Sequence, residues 1–256
     1  MPVPSPFDVR LAIVDAEHWN ATGAECARVG HLHDAEQRLR KAVQLAPQGS
    51  HVAHQARFNL GLVLLLTGDY EAGLALFEHR HHVGQDERPA LPPDFAPWNG
   101  APLAGRSLLV IREQGHGDEI QMVRYLPLLA AQGATRITYV CGDALYPLLR
   151  CLDGDGDGVR ILPRSSTTSI EPHDFWIMAM SLPWATATRP DNIPASLPYL
   201  QVAATRVADW AQTLAAGPGL RIGLCWKGSA VHGNDRERPQ PAGGAARVNA
   251  SDCHRC

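Results

Sequence analysis

Two glycines bracket a histidine and an aspartate follows in the stretch Gln114-Gly115-His116-Gly117-Asp118. Glycine lets a backbone come close to a ligand, and a helix that starts there offers unpaired N–H groups and the positive end of its dipole. Asp118 could accept a proton from an attacking hydroxyl. The same residue type at a helix start is also a common N-cap. The spacing is not the dinucleotide-binding fingerprint, because Ile120 stands where a third glycine is needed.

Other chemically suggestive clusters read more plainly. In Glu78-His79-Arg80-His81-His82, His79 and His82 share a helix face, as metal ligands would. No acidic or cysteine partner completes a shell, so a solvated helix end is expected, with cations favoured at the negative end of the dipole. Asp153-Gly154-Asp155-Gly156-Asp157-Gly158 copies half of an EF-hand loop, but Arg164 occupies the position of the bidentate Glu. A flexible acidic turn is the simpler reading. Of the six cysteines only Cys253 and Cys256 are close, and no second ligand pair accompanies them. Reduced thiols and no bound metal are expected.

The elements that must position the glycine turn are legible on both sides of it. Ser107-Leu108-Leu109-Val110-Ile111 is a continuous apolar run, as in a strand buried on both faces of a parallel sheet. An apolar-periodic helix through Leu129 follows, closed by Gly133, and then a strand over Arg136–Cys141. A helix over Asp143–Leu152 and a strand over Val159–Leu162 complete a strand-helix alternation, which predicts a doubly wound α/β unit. Ligands of such sheets bind at the carboxyl ends of strands, where Glu113–Asp118 falls. Prolines 89, 92, 93, 97 and 102 break the pattern upstream and predict an irregular linker over 89–105, pinned by the aromatic of Trp98-Asn99-Gly100.

Before that linker the chain repeats itself. Gly30 and Gly68 lie 38 residues apart, each between stretches of small and apolar residues at helical spacing. The pattern Leu60-Gly61, Gly68-Asp69-Tyr70 and Ala42/Pro47 resembles tetratricopeptide repeats, with an insertion implied near Gln48–Val52. Arg57, Gly73 and Arg80 depart from the usual residues. Residues 1–88 are therefore expected to be a short helical cap on the next domain, since two repeats are too few for an independent solenoid.

Composition narrows the function classes. The chain has 256 residues, 45% hydrophobic and 19% charged, which suits a globular core. A net charge of −3 gives no global drive toward nucleic acid. The apolar run from Leu60 to Leu66 is far below the ~20 residues of a membrane span. No basic or apolar leader follows Met1, and a cytoplasmic protein is expected.

A longer ordered series of motifs carries a resemblance. Trp98-Asn99-Gly100, Glu113 through Pro127, His173-Asp174-Phe175, Ser181-Leu182-Pro183, Pro198-Tyr199-Leu200 and Arg221-Ile222-Gly223-Leu224-Cys225-Trp226-Lys227-Gly228 occur in turn. Together they resemble bacterial tetratricopeptide proteins with a glycosyltransferase-like part, similar to the ADP-heptosyltransferases of glycosyltransferase family 9 and more loosely to O-GlcNAc transferases. His116 between the glycines, and Met178-Ala179-Met180 before Ser181, depart from the family's pattern.

The resemblance implies a GT-B fold, two Rossmann-like domains across a cleft, with residues 106–218 as the acceptor-side domain. It implies inverting transfer from a nucleotide sugar, a co-substrate rather than a cofactor, to a glycan or protein hydroxyl. Asp118 matches the base. Gln114, Gly115, His116, Gly117 and Gln121 would contact substrate, and so would Lys227, His232, Asn234 and Asp235 in the first loop of the second domain, begun at 219–238. Residues 239–256 lose large apolar residues, so this domain is expected to be largely missing, with transfer impaired and the tail disordered or frameshifted. A scaffold that engages a protein through its helical repeats is the competing reading.

Overall fold

The computed structural model describes residues 5–84, 95–154, 158–166 and 170–214. Residues 1–204 form one compact unit. Of the second, residues 205–256, the described part is essentially helix α9 (Ala204–Thr213). Among the described residues no helix is long and apolar enough to cross a membrane.

The first unit opens with four helices, α1 (Pro6–Arg28), α2 (Leu32–Leu45), α3 (His51–Thr67) and α4 (Tyr70–Phe77). Side chains set three of the starts. Ser5, Ser50 and Asp69 accept hydrogen bonds from the N–H groups of Asp8, Ala53 and Ala72 at 3.3, 3.2 and 3.2 Å. The 38-residue offset reappears in space. Gly30 and Gly68 reverse the chain at φ 85° and 93°, where other residues are strained. A Cβ on Gly23 would lie 2.8 Å from Leu39 Cγ, and one on Gly61 would lie 2.8 Å from Phe77 N, so each hairpin closes on a glycine. Ala35, Leu39, Leu60, Val63 and Leu64 form the core between them. Of the stretch Gln48–Val52, where an insertion is expected, residues 48–50 form the turn between α2 and α3, with Gly49 at φ 75° and Ser50 capping α3, and His51 and Val52 open the helix.

Among the described residues five parallel strands follow: β1 (Ala96–Pro97), β2 (Ser107–Ile111), β3 (Arg136–Cys141), β4 (Val159–Pro163) and β5 (Phe175–Met178). Their spatial order is β1-β5-β2-β3-β4, a helical-plus-α/β architecture. All five residues of β2 are buried, because the strand is central and covered on both faces. Leu108 and Val110 join the larger core with Leu126, Leu129 and Tyr139, while Leu109 and Ile111 pack on the other face with Phe95, Val140 and Met178.

Two expectations change here. The proline-rich stretch carries the edge strand β1, where Pro97 needs no N–H partner on its outer side. The long helices break up: α5 (His116–Met122), a 3-10 turn and α6 (Leu126–Ala131) replace one, and α7 (Tyr146–Leu149) with a 3-10 turn replaces the other. Pro127 and Pro147 sit within the first two positions of α6 and α7, which no longer helix running through them would tolerate.

Asp174 ties the amino ends of β2 and β5. Its carboxylate accepts from Ser107 N–H at 2.8 Å, Ser107 Oγ at 2.7 Å and Arg106 Nη1 at 3.0 Å, which lowers its pKa to about 2. At the far side, Gly100 (φ 93°) presses on helix α8 (Leu182–Ala185): a Cβ there would stand 2.4 Å from the Ala185 carbonyl oxygen. Gly100→Ala is expected to destabilise by at least about 2 kcal/mol, because positive φ and a backbone clash combine. Gly30→Ala, with positive φ but open space around it, should cost about 1 kcal/mol. Guanidinium denaturation of the two variants measures the difference.

Candidate functional site

From β2 the sheet grows through β3 to β4, and the chain then returns to place β5 on the other side of β2. The strand order reverses between β2 and β5, and a crevice outside their carboxyl ends is where such sheets bind ligands. From β2 the chain enters the glycine turn and α5; from β5 it enters a 3-10 turn (Ala179–Ser181) and α8.

The glycine turn is held from below. Gln114 adopts φ 63°, the left-handed region that a non-glycine residue enters at a cost on the order of 1 kcal/mol. The Arg112 guanidinium donates to the Gln114 carbonyl and, through Nε, to Glu119 Oε1 at 2.8 Å. Glu119 is fully buried, and its other oxygen accepts from Gly142 N–H at 2.8 Å. A buried carboxylate paired in this way anchors the turn to the end of β3.

Gln114, Gly115, His116 and Gly117 are exposed above this anchor, and Asp118 is half-buried beside them. Asp118 Oδ2 accepts from Gly115 N–H at 2.9 Å. Asp118 therefore does serve the helix start, from its third position rather than as the N-cap residue. Gln121 follows one turn later, exposed at the rim of a cavity of about 230 Å³ that Arg124 and Tyr125 also line. The structure thus brings together residues 114–118 and Gln121. Lys227, His232, Asn234 and Asp235 lie outside the described residues, as do Asp155, Asp157, Cys253 and Cys256. Asp153 is bonded internally, accepting from Ile161 N–H at 2.6 Å.

The crevice itself is filled by a network that the sequence does not announce. The turn Glu78–His82 after α4 inserts Arg80, 8% exposed, between the two strand ends. Arg80 Nε and Nη2 donate to the two oxygens of Glu113 at 2.7 and 2.8 Å. Its Nη1 donates to Glu78 at 2.6 Å, and Nη2 also reaches Ser181 Oγ at 2.6 Å. Ser181 Oγ in turn donates to Glu78 Oε2 at 2.7 Å. Burial alone would lower the Arg80 pKa, but the Glu113 hydrogen bonds and the two carboxylate charges outweigh it and raise it. The same balance leaves the Glu78 carboxyl below its ordinary value: burial pushes it up, and the nearby His81, the Arg80 charge and the bonds from Ser181 and Arg80 bring it down.

This overturns the solvated helix end expected over residues 79–82. Only His82 of the three histidines is exposed. His54 and His79 meet Nδ1 to Nδ1 at 2.9 Å, and the His54 and His82 rings stand 4.2 Å apart. Among the described residues no group of three or more His, Cys, Asp or Glu is arranged to hold a metal ion.

Desolvation, with the nearby positive charge of Arg57 and the facing histidines, lowers the pKa of both His54 and His79. His173, buried and bonded to Thr138 Oγ1 at 2.9 Å, is lowered by desolvation too. Each histidine is preferentially neutral when folded, so its stabilisation is present above the unfolded value of about 6.5 and lost as pH falls below it. The melting temperature is expected to drop between pH 7.5 and 5.5, and His54→Leu should flatten that drop in part. An unchanged slope in the variant would remove His54 from the explanation.

No family model matches the chain. Over 257 aligned residues it is 23% identical to Protein FlbA of Caulobacter vibrioides, covering 82% of this chain and 43% of that protein. The chain thus spans less than half the length of that relative. Among solved structures, an O-GlcNAc transferase mutant from Thermobaculum terrenum aligns with 63% of this chain and 42% of its own, at 16% identity and a TM-score of 0.16. An overlay that loose carries no residue correspondence.

Proposed function

We propose that this chain is glycosyltransferase-like and, against the impairment expected from the sequence, moves a sugar from a nucleotide-sugar donor to an acceptor hydroxyl with inversion. The observation that carries the reading is the exposed glycine turn at the carboxyl end of the central strand, at the switch point of the sheet, with a carboxylate on its helix. Asp118 Oδ2 is fixed by Gly115 N–H, which leaves Oδ1 to take the acceptor proton. The acceptor oxygen then forms its bond to the anomeric carbon as the bond to the nucleoside diphosphate breaks. Gln114, His116 and Gln121 would position the acceptor, and the backbone at Gly115 and Gly117 allows its close approach. Lys227, His232, Asn234 and Asp235 are assigned, on the sequence resemblance, to a loop facing the donor.

Mixing the chain with nucleotide sugars and hydroxyl acceptors tests this. Nucleoside diphosphate release should require the acceptor, which should gain one sugar mass in the inverted anomeric configuration. Release without an acceptor, a retained anomer, or no release with any donor would contradict it.

A further inference from the structure

The edge strand β1 pairs only with Phe175 and Trp176, and Trp98 N–H adds a last bond to the Trp176 carbonyl at 2.8 Å. The chain then turns away at Asn99-Gly100, because Gly100 is drawn onto Ala185. Among the described residues, the Ile177–Met178 half of the β5 edge has no strand neighbour on that side. A cavity of about 420 Å³ sits in that gap, lined by three tryptophans (Trp98, Trp176 and Trp184) and by Asn99, Glu78 and His81. Its volume is in the range of small-molecule sites.

We propose that this cavity binds a neutral saccharide ring. Indole faces are flat, apolar and electron-rich, and they suit the polarised C–H groups on one face of a pyranose. The hydroxyl groups around that ring need acceptors and donors at its edge. The Glu78 carboxylate and the Asn99 amide supply both, and the bonds from Arg80 and Ser181 hold Glu78 in place. A plain aromatic ligand could make no use of those polar groups, and an anion would meet the Glu78 charge. The inference shares only its ligand class with the transfer reading, since binding here requires no chemistry at Asp118.

Saturation-transfer NMR with methyl glucoside, methyl mannoside and methyl N-acetylglucosaminide tests the proposal, with benzoate as the flat anionic control. At least one pyranoside should bind saturably, with Kd on the order of 1 mM. Trp184→Phe and the surface variant Asn99→Ala should each weaken that binding at least threefold, and Arg40→Ala, exposed on α2 away from both sites, should leave it unchanged. Absence of saturable binding, equal binding of benzoate, or binding indifferent to both cavity variants would overturn the proposal. A wild-type chain that binds a pyranoside through this cavity yet transfers no sugar overturns the transfer reading alone.

Discussion

Arg80→Met is expected to remove about 3–5 kcal/mol of folding stability, the cost of leaving buried carboxylates without their partner. Glu113 keeps 10% of its side chain exposed and Glu78 keeps 23%, so water replaces the guanidinium only in part. The three nitrogens of Arg80 make four short bonds to Glu78, Glu113 and Ser181, and methionine supplies none of them. The double variant Arg80→Met with Glu113→Gln should recover a large part of the loss, because the uncompensated charge goes with the pair. Arg40→Ala is the contrast: its bridge to Glu36 leaves 56% and 28% of the two side chains exposed and should matter by less than about 1 kcal/mol. Guanidinium titration of the four proteins decides it. A loss for Arg80→Met as small as that for Arg40→Ala would mean that the network does not hold the helical turn in the crevice.

The second large effect is on rate. Asp118→Asn keeps an oxygen able to accept from Gly115 N–H, so folding stability should stay within about 0.5 kcal/mol of wild type. It removes the proton acceptor, and turnover should fall by about 10²–10⁴-fold, the usual contribution of a general base. Asp118→Ala loses both and should add a stability cost of about 1 kcal/mol. The pair of variants separates the two roles that one carboxylate has at this helix start. A cap-only aspartate would show the stability cost in alanine and no rate loss in asparagine.

Much of the sheet was legible because burial on both faces leaves a mark in sequence. β2 and β3 coincide with the apolar runs Ser107–Ile111 and Arg136–Cys141. β1 and β5 left no such mark: one is two residues long and holds a proline, and the other is four residues of large side chains beside irregular chain. Without β5 the strand order, and with it the switch point, cannot be read. The helical hairpins were legible through glycines required by close contact, which recur at a fixed offset. The glycine turn was legible as glycines directly following an apolar strand, although no neighbour crowds Gly117. The Arg80 network was not, because its bonds join residues 33 and 101 positions apart. The departure of Arg80 from the repeat pattern was the only sign of it.

Glycosyl transfer from the Asp118 turn is tested most directly by the intact mass of the acceptor after reaction with a nucleotide sugar. Wild-type and Asp118→Asn protein should be compared at equal folded concentration. Wild type should add a single glycosyl unit to the acceptor, and the asparagine variant should be slower by two orders of magnitude or more. Equal labelling by the two proteins would contradict the assignment of Asp118 as the base.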